Sequence, residues 1–199
     1  MKIVYFRQLL LDETTRHWSA AQQIVYSYLL SQSILRLDSV FHADGTNIDF
    51  VEVIEEYRGE DGEIDLCDYN IDKMVDLLHL SKRNIYDSLN FIRSTKYIHD
   101  DFIYCPKEII YHGYFELKIE TGLTKQLLIF YSWLYERGQP YNGVVDTFSY
   151  KMAETLGTND TNIRVMLSRL SEKGFVKRIA TDDRRYGKII IKYHKECFN

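Results

Sequence analysis

Proline is nearly missing from this chain, with 2 residues in 199. With abundant tyrosine beside it, that scarcity argues against disorder and suits short helices around an aromatic core. Cysteine is scarce too: Cys67, Cys105 and Cys197 lie far apart, with no CxxC and no Cys/His ligand spacing. A disulfide framework and a structural zinc site are therefore not expected, and reduced, buried thiols are. His99-Asp100-Asp101 and His42 with Asp44 are metal-binding residue types, but a third and fourth ligand at usable spacing are missing, so no metal is expected. No apolar run reaches the roughly 18 residues that a membrane span needs, and the first residues lack a signal-peptide pattern. The expectation is a soluble, cytoplasmic protein with no membrane partner. A glycine-rich phosphate loop, a nucleophile elbow and HExxH are all missing, and nothing singles out an acid/base carboxylate pair. Neither an enzyme nor a cofactor is expected.

What the chain does have is tyrosine, 16 residues of it, and an ordinary hydrophobic share of 45%, enough to build a packed core. The net charge of −4 is unevenly placed. Residues 1–110 hold 11 Lys+Arg against 19 Asp+Glu, a net of −8. Residues 111–199 hold 14 against 10, a net of +4, and the stretch 158–195 alone reaches +6. An asymmetry of sign bears on partners, not on fold.

The most informative pattern is an internal repeat, and repeats govern the rest of the reading. Lys73-Met74-Val75-Asp76-Leu77-Leu78-His79 through Asn84-Ile85 to Leu89 runs in register with Lys151-Met152-Ala153-Glu154-Thr155-Leu156-Gly157 through Asn162-Ile163 to Leu167, 78 residues later. The match continues through Ile92 and Leu170 to Tyr97-Ile98 and Phe175-Val176. Upstream, Tyr26-Ser27-Tyr28-Leu29 echoes Tyr131-Ser132-Trp133-Leu134 at a different offset, so the first copy carries about 27 extra residues.

Periodicity and turn signals place the elements. A short strand is expected near Ile3–Phe6, and a helix over about 20–37 with Ser19 as its N-cap. Residues 38–68 form an acidic insertion with turns at Asp44-Gly45 and Asp61-Gly62, and 48–57 reads as either strand or short helix. Helices are expected at about 70–79 and 82–94, a hairpin over Tyr97–Tyr104 turning at Asp100-Asp101, and a linker over Pro106–Gly113. The second half reads as a helix from Thr124 to Arg137 stopped by Gly138, a loop over Pro140–Val145, and helices at about 147–156 and 160–173. Strands at Phe175–Ala180 and Lys188–Tyr193 then flank a polar tip at Thr181–Gly187. The expected fold class is mainly α with small β-wings (α+β). It comprises two winged-helix units in tandem, an acidic one over 1–110 and a basic one over 111–199.

Helix, turn, helix is the pattern in which the second helix enters the DNA major groove. Two helices that cross closely need a small residue at the crossing and a left-handed residue at the turn, which Ala153 and Gly157 supply. The first copy has Val75 and His79 there; histidine tolerates the left-handed region better than most residues with a side chain. From Leu167 the sequence Leu-Ser-Arg-Leu-Ser-Glu-Lys-Gly-Phe-Val-Lys-Arg, followed by Asp183-Arg184-Arg185, resembles the recognition helix and wing of the MarR family of regulators. In that family the wing Arg reaches DNA and the wing Asp holds the wing. The resemblance covers about residues 150 to 193. MarR proteins carry one winged helix per chain, and the tandem plan is closer to that of the winged-helix replication initiators of plasmids.

The resemblance and the charge imply double-stranded DNA as partner, bound sequence-specifically by a transcriptional regulator or a mobile-element replication or maintenance factor. Asn159, Thr161, Arg164 and Ser168 are the expected base-facing residues. Arg169, Arg178, Arg184, Arg185 and Lys188 are expected at phosphates or the minor groove. Each of these charges has an ordinary alternative as a solvated surface group. The rival function is a protein-interaction module without DNA binding, whose partner meets the acidic first unit. A homodimer is open under either reading.

Overall fold

Two helices of this chain are buried on every face along their middle turns, one in each folded unit. The computed structural model describes residues 3–41, 50–119, 122–180 and 186–191. It is mainly helical with small antiparallel sheets, and the chain divides into Met1–Tyr114 and Phe115–Asn199.

In the first unit, strand β1 (Val4–Phe6) and helix α1 (Gln8–Leu11) precede the central helix α2 (Ala20–Phe41). Ser19 starts α2 by a reciprocal pair of bonds. Its N–H donates to Gln22 Oε1 (2.7 Å), and the Gln22 N–H donates to Ser19 Oγ (3.3 Å). Residues 23–31 are buried without a break, as expected of a helix surrounded by others. Helix α3 (Phe50–Tyr57) and strand β2 (Glu63–Asp65) follow. Then come α4 (Ile71–Leu78), α5 (Lys82–Ser94), β3 (Ile98–His99), β4 (Phe102–Tyr104) and α6 (Ile109–His112). The sheet order is β2-β4-β3, all antiparallel.

The second unit opens on β5 (Tyr114–Glu116), which begins at the last residue of the first. Its central helix α7 (Lys125–Gly138) is capped by Thr124 and buried at every position from 127 to 135. It continues through β6 (Val144–Phe148), α8 (Ser149–Thr155), α9 (Asp160–Glu172), β7 (Val176–Ala180) and β8 (Tyr186–Ile191). Its sheet order, β6-β8-β7, repeats that of the first unit.

The repeat holds to the residue. Helices α4 and α8 begin at 71 and 149, α5 and α9 at 82 and 160, and β3 and β7 at 98 and 176, each pair 78 apart. Central helices α2 and α7 begin at 20 and 125, 105 apart. Buried Met74, Leu78, Ile85, Leu89, Ile92 and Ile98 answer to buried Met152, Leu156, Ile163, Leu167, Leu170 and Val176. The two offsets meet in an aromatic pair. Tyr26 contacts Tyr97 edge-on with centroids 5.5 Å apart, and Tyr131 contacts Phe175 the same way at 5.1 Å. Ser27 and Ser132, both fully buried, each accept a backbone N–H, from Phe6 (3.3 Å) and Lys118 (2.8 Å).

Several expectations need correction. Residues 50–57 are helix, so the alternative of a strand there is excluded. Strand β2 is the counterpart of β6 and belongs to the repeat; the extra residues instead lengthen α2 past the point equivalent to the end of α7 and add α3. Pro106–Gly113 is no bare linker: it holds α6, with Ile109 buried. Pro140–Val145 is not all loop, since β6 begins at Val144 and Val145 faces the core. Gly138 does not stop α7 through a left-handed turn; its φ is −83°, within the helical range. A Cβ there would lie 2.8 Å from Ile191 Cδ1 and 3.3 Å from the Gly143 carbonyl carbon, so the position needs glycine for close approach.

Candidate nucleic-acid interface

Helix α9 is built to present one face and bury the other. Ile163, Met166, Leu167 and Leu170 point inward, all buried, at helical spacing. That spacing leaves Thr161, Arg164, Val165, Ser168 and Arg169 exposed. The turn into α9 comes from Gly157, whose φ of +59° lies in the left-handed region. Asn159 then caps the helix, its Oδ1 accepting from the Asn162 N–H at 2.8 Å. The amide oxygen of Asn159 is thereby committed to the helix start, which narrows the base-reading role expected of it to the amide nitrogen.

The exposed face has an internal network. Arg164 Nη2 lies 2.6 Å from Asp160 Oδ2, one helical turn back. The pair is 56% and 35% exposed, so exchanging it for another acceptor costs little, roughly 0.3–0.5 kcal/mol. Ser168 Oγ donates to Glu172 Oε1 at 3.2 Å, and Asn162 Nδ2 to Thr158 Oγ1 at 3.2 Å. Arg169 sits in the last turn, where a cation complements the helix dipole.

Behind the helix, Arg178 is exposed on edge strand β7. Lys188 stands on the central strand β8, directly across from Asp146 of β6, with Nζ 3.8 Å from Oδ2. Arg184 and Arg185 lie outside the described residues. The structure thus brings Thr161, Arg164, Ser168 and Arg169 onto one helix surface, while Arg178 and Lys188 belong to the sheet. Sequence reasoning passed over Asp160 and Asp146, the acids that hold Arg164 and Lys188. Asp160 was legible as an i,i+4 partner; Asp146 depends on a strand pairing that sequence spacing does not reveal. Val165, 42% exposed amid these polar groups, was also passed over, as was Lys177 beside Arg178.

The same surface of the first unit differs in kind. At the start of α5, Lys82 Nζ donates to Asp72 Oδ1 at 2.9 Å, which raises the pKa of the ammonium, and Arg83 pairs with Asp87 at 3.7 Å. Tyr86, 48% exposed, occupies the place that Arg164 holds in α9. Ser81 caps α5 as Asn159 caps α9, accepting from the Asn84 N–H at 3.2 Å. His79 takes the turn with φ 47°, ψ 44°, the left-handed geometry expected from its alignment with Gly157. The hairpin turns through Asp100, itself at φ 48°. Here His99 Nε2 meets Glu63 Oε1 at 2.5 Å across the sheet.

Among the described residues, no group of three or more metal-ligating side chains converges, and no helix is long and apolar enough to cross a membrane. Cys67 and Cys105 are free and buried, and burial pushes the Cys105 thiol up to about 12. No protein-family model, no curated protein and no solved structure matches the chain.

Proposed function

We propose that the chain is a sequence-specific double-stranded DNA-binding protein whose second unit, a winged helix, reads the duplex. It would act as a transcriptional regulator or as a replication or maintenance factor of a mobile element. The observation that carries this reading is the outward face of α9. An aliphatic inner face fixes the helix on α7 and α8, and the outer face offers threonine, serine and two arginines in the half of the chain that is net positive. Arg164 is the residue for a bidentate base contact, with Thr161 and Ser168 beside it; Arg169 and Arg178 serve phosphates. The Asp-Arg-Arg run at 183–185 joins them at the wing by its resemblance to the MarR wing.

The first unit is an architectural or partner-binding copy. Its cations at the head of α5 are already matched by Asp72 and Asp87, and its wing turns on two carboxylates that oppose phosphate docking. A reading in which both units bind only proteins gives no reason for the positive charge gathered on the second.

Selection of bound duplexes from a random pool, followed by anisotropy titration of the full chain, tests the proposal. Arg164→Ala is expected to weaken the selected site by about 1–3 kcal/mol relative to unrelated duplex. A chain that enriches no sequence, or an Arg164→Ala variant that binds the enriched site as tightly as before, overturns it.

A further inference from the structure

The first unit departs from the repeat most in the length of α2, and that extra length walls a cavity of about 530 Å³. Helix α7 ends at Gly138, which the 105-residue offset sets against Ser33; Leu35 and Arg36 lie past that point and line the cavity. Opposite them stand Asp68 and, from the first turn of α4, Lys73. The size falls in the range of small-molecule sites, roughly 300–1,000 Å³.

Its lining is net positive. Arg36 and Lys73 contribute two cations against the single carboxylate of Asp68 among the described lining residues, in a half of the chain whose net charge is −8. Gln32 lines the same cavity, and its Nε2 is shielded from solvent with no hydrogen-bond partner. A buried amide donor left unpaired is costly, and a ligand that drew the Gln32 side chain toward the cavity would give it an acceptor. Tyr28 and Leu35 give apolar wall on the α2 side.

We infer that this cavity binds a small organic anion, its anionic group received by Gln32, Arg36 and Lys73 and its apolar body lying along Tyr28 and Leu35. Carboxylate and phosphate monoester share the required chemistry: acceptor oxygens with negative charge on a compact apolar skeleton. The inference does not depend on DNA binding.

Benzoate, phenyl phosphate, inorganic phosphate and neutral benzamide, titrated separately into the full chain under nuclear magnetic resonance, test it. Benzoate or phenyl phosphate is expected to shift the Gln32 side-chain amide and the backbone amides of Asn70 and Lys73, and whichever binds more tightly identifies the anionic group. Benzamide and inorganic phosphate are expected to bind at least fivefold more weakly, lacking the charge or the apolar body. Arg36→Gln and Lys73→Gln should each weaken the preferred anion at least fivefold, with thermal melts verifying that each variant is folded. If one variant fails to fold, the other and the map of shifted amides still decide. Benzamide binding as tightly as benzoate, shifts that cluster elsewhere, or no saturable shift with either organic anion overturns the inference.

Discussion

The two copies exchange roles at one backbone position, and that exchange sets a quantitative test of the repeat. After each helix of the second pair, the chain turns through a left-handed residue: Lys96 at φ 64° in the first unit and Gly174 at φ 82° in the second, again 78 apart. The bonding around it is the same. The N–H of Tyr97 donates to Ile92 O at 3.3 Å, and that of Phe175 to Leu170 O at 2.9 Å. A side chain in this conformation costs roughly 1–2 kcal/mol. Glycine avoids that cost but has more freedom to lose on folding, roughly 0.4–1 kcal/mol relative to a residue with a Cβ. At Gly174 nothing lies within 4 Å of an added Cβ, so sterics with neighbours do not enter. Lys96 is exposed, so its side chain gives up little when removed. The difference of the two terms predicts that Lys96→Gly stabilises the first unit by about 0.5–1 kcal/mol, and that Gly174→Ala destabilises the second by a similar amount. The chain supplies its own reporters: buried Trp18 lies in the first unit and buried Trp133 in the second. Urea unfolding followed by fluorescence, with one tryptophan replaced by Phe in each background, separates the two transitions, which a two-unit protein requires. If Lys96→Gly destabilises, or Gly174→Ala leaves the second transition unmoved, the shared backbone geometry is not what holds these turns.

Alkali should weaken the first unit. Burial holds the phenol of Tyr97 and the thiol of Cys105 up at about 12, above their usual 10 and 9, so both are protonated in the fold. Their contribution is complete below pH 9 and is lost as pH climbs toward 12, read as a fall in the melting temperature of the Trp18 transition. Gly138→Ala should cost the second unit about 1 kcal/mol: a helix-propensity gain near 1 kcal/mol is outweighed by crowding of roughly 1–3 kcal/mol against Ile191 and Gly143. Differential scanning calorimetry of the full chain would record it. Asp160→Ala should raise non-specific duplex affinity at low salt and steepen the salt slope by up to about 1, since it removes the carboxylate that neutralises Arg164. Anisotropy at several salt concentrations checks this, and an unchanged slope would mean Arg164 does not meet the duplex.

Long periodic elements were legible because their burial repeats every turn. The Met74/Met152, Ile85/Ile163 and Leu89/Leu167 matches fixed both helix pairs and their register, and the Ser19 cap follows from a side chain that satisfies an orphan amide. The short strand β1 and the hairpin of β3 and β4 were legible, but strands β2 and β6 were not. Strand β2 is three residues, two of them acidic, and owes its conformation to pairing with β4, which is distant in sequence. Strand β6 was hidden behind Pro140 and the Asn142-Gly143 turn for the same reason. Gly138 was misjudged because glycine at a helix end signals a left-handed cap, whereas this one answers to a side chain on β8. The outward residues of α9 were found from helical phase; which acids hold them is a matter of geometry.

Matching bounds have a consequence for engineering. Because α5 and α9 begin and end at equivalent residues on equivalent caps, their solvent-facing side chains are interchangeable parts on a common chassis. Transplanting the Arg164, Ser168 and Arg169 set onto positions 86, 90 and 91 of α5 touches no residue in the buried Ile85, Leu89 and Ile92 row. Position 91 is the delicate one, since Phe91 leans on Trp18 and its loss removes an aromatic contact. A chain so altered would present the same outward set of side chains twice in a single polypeptide, once on each copy of the repeat.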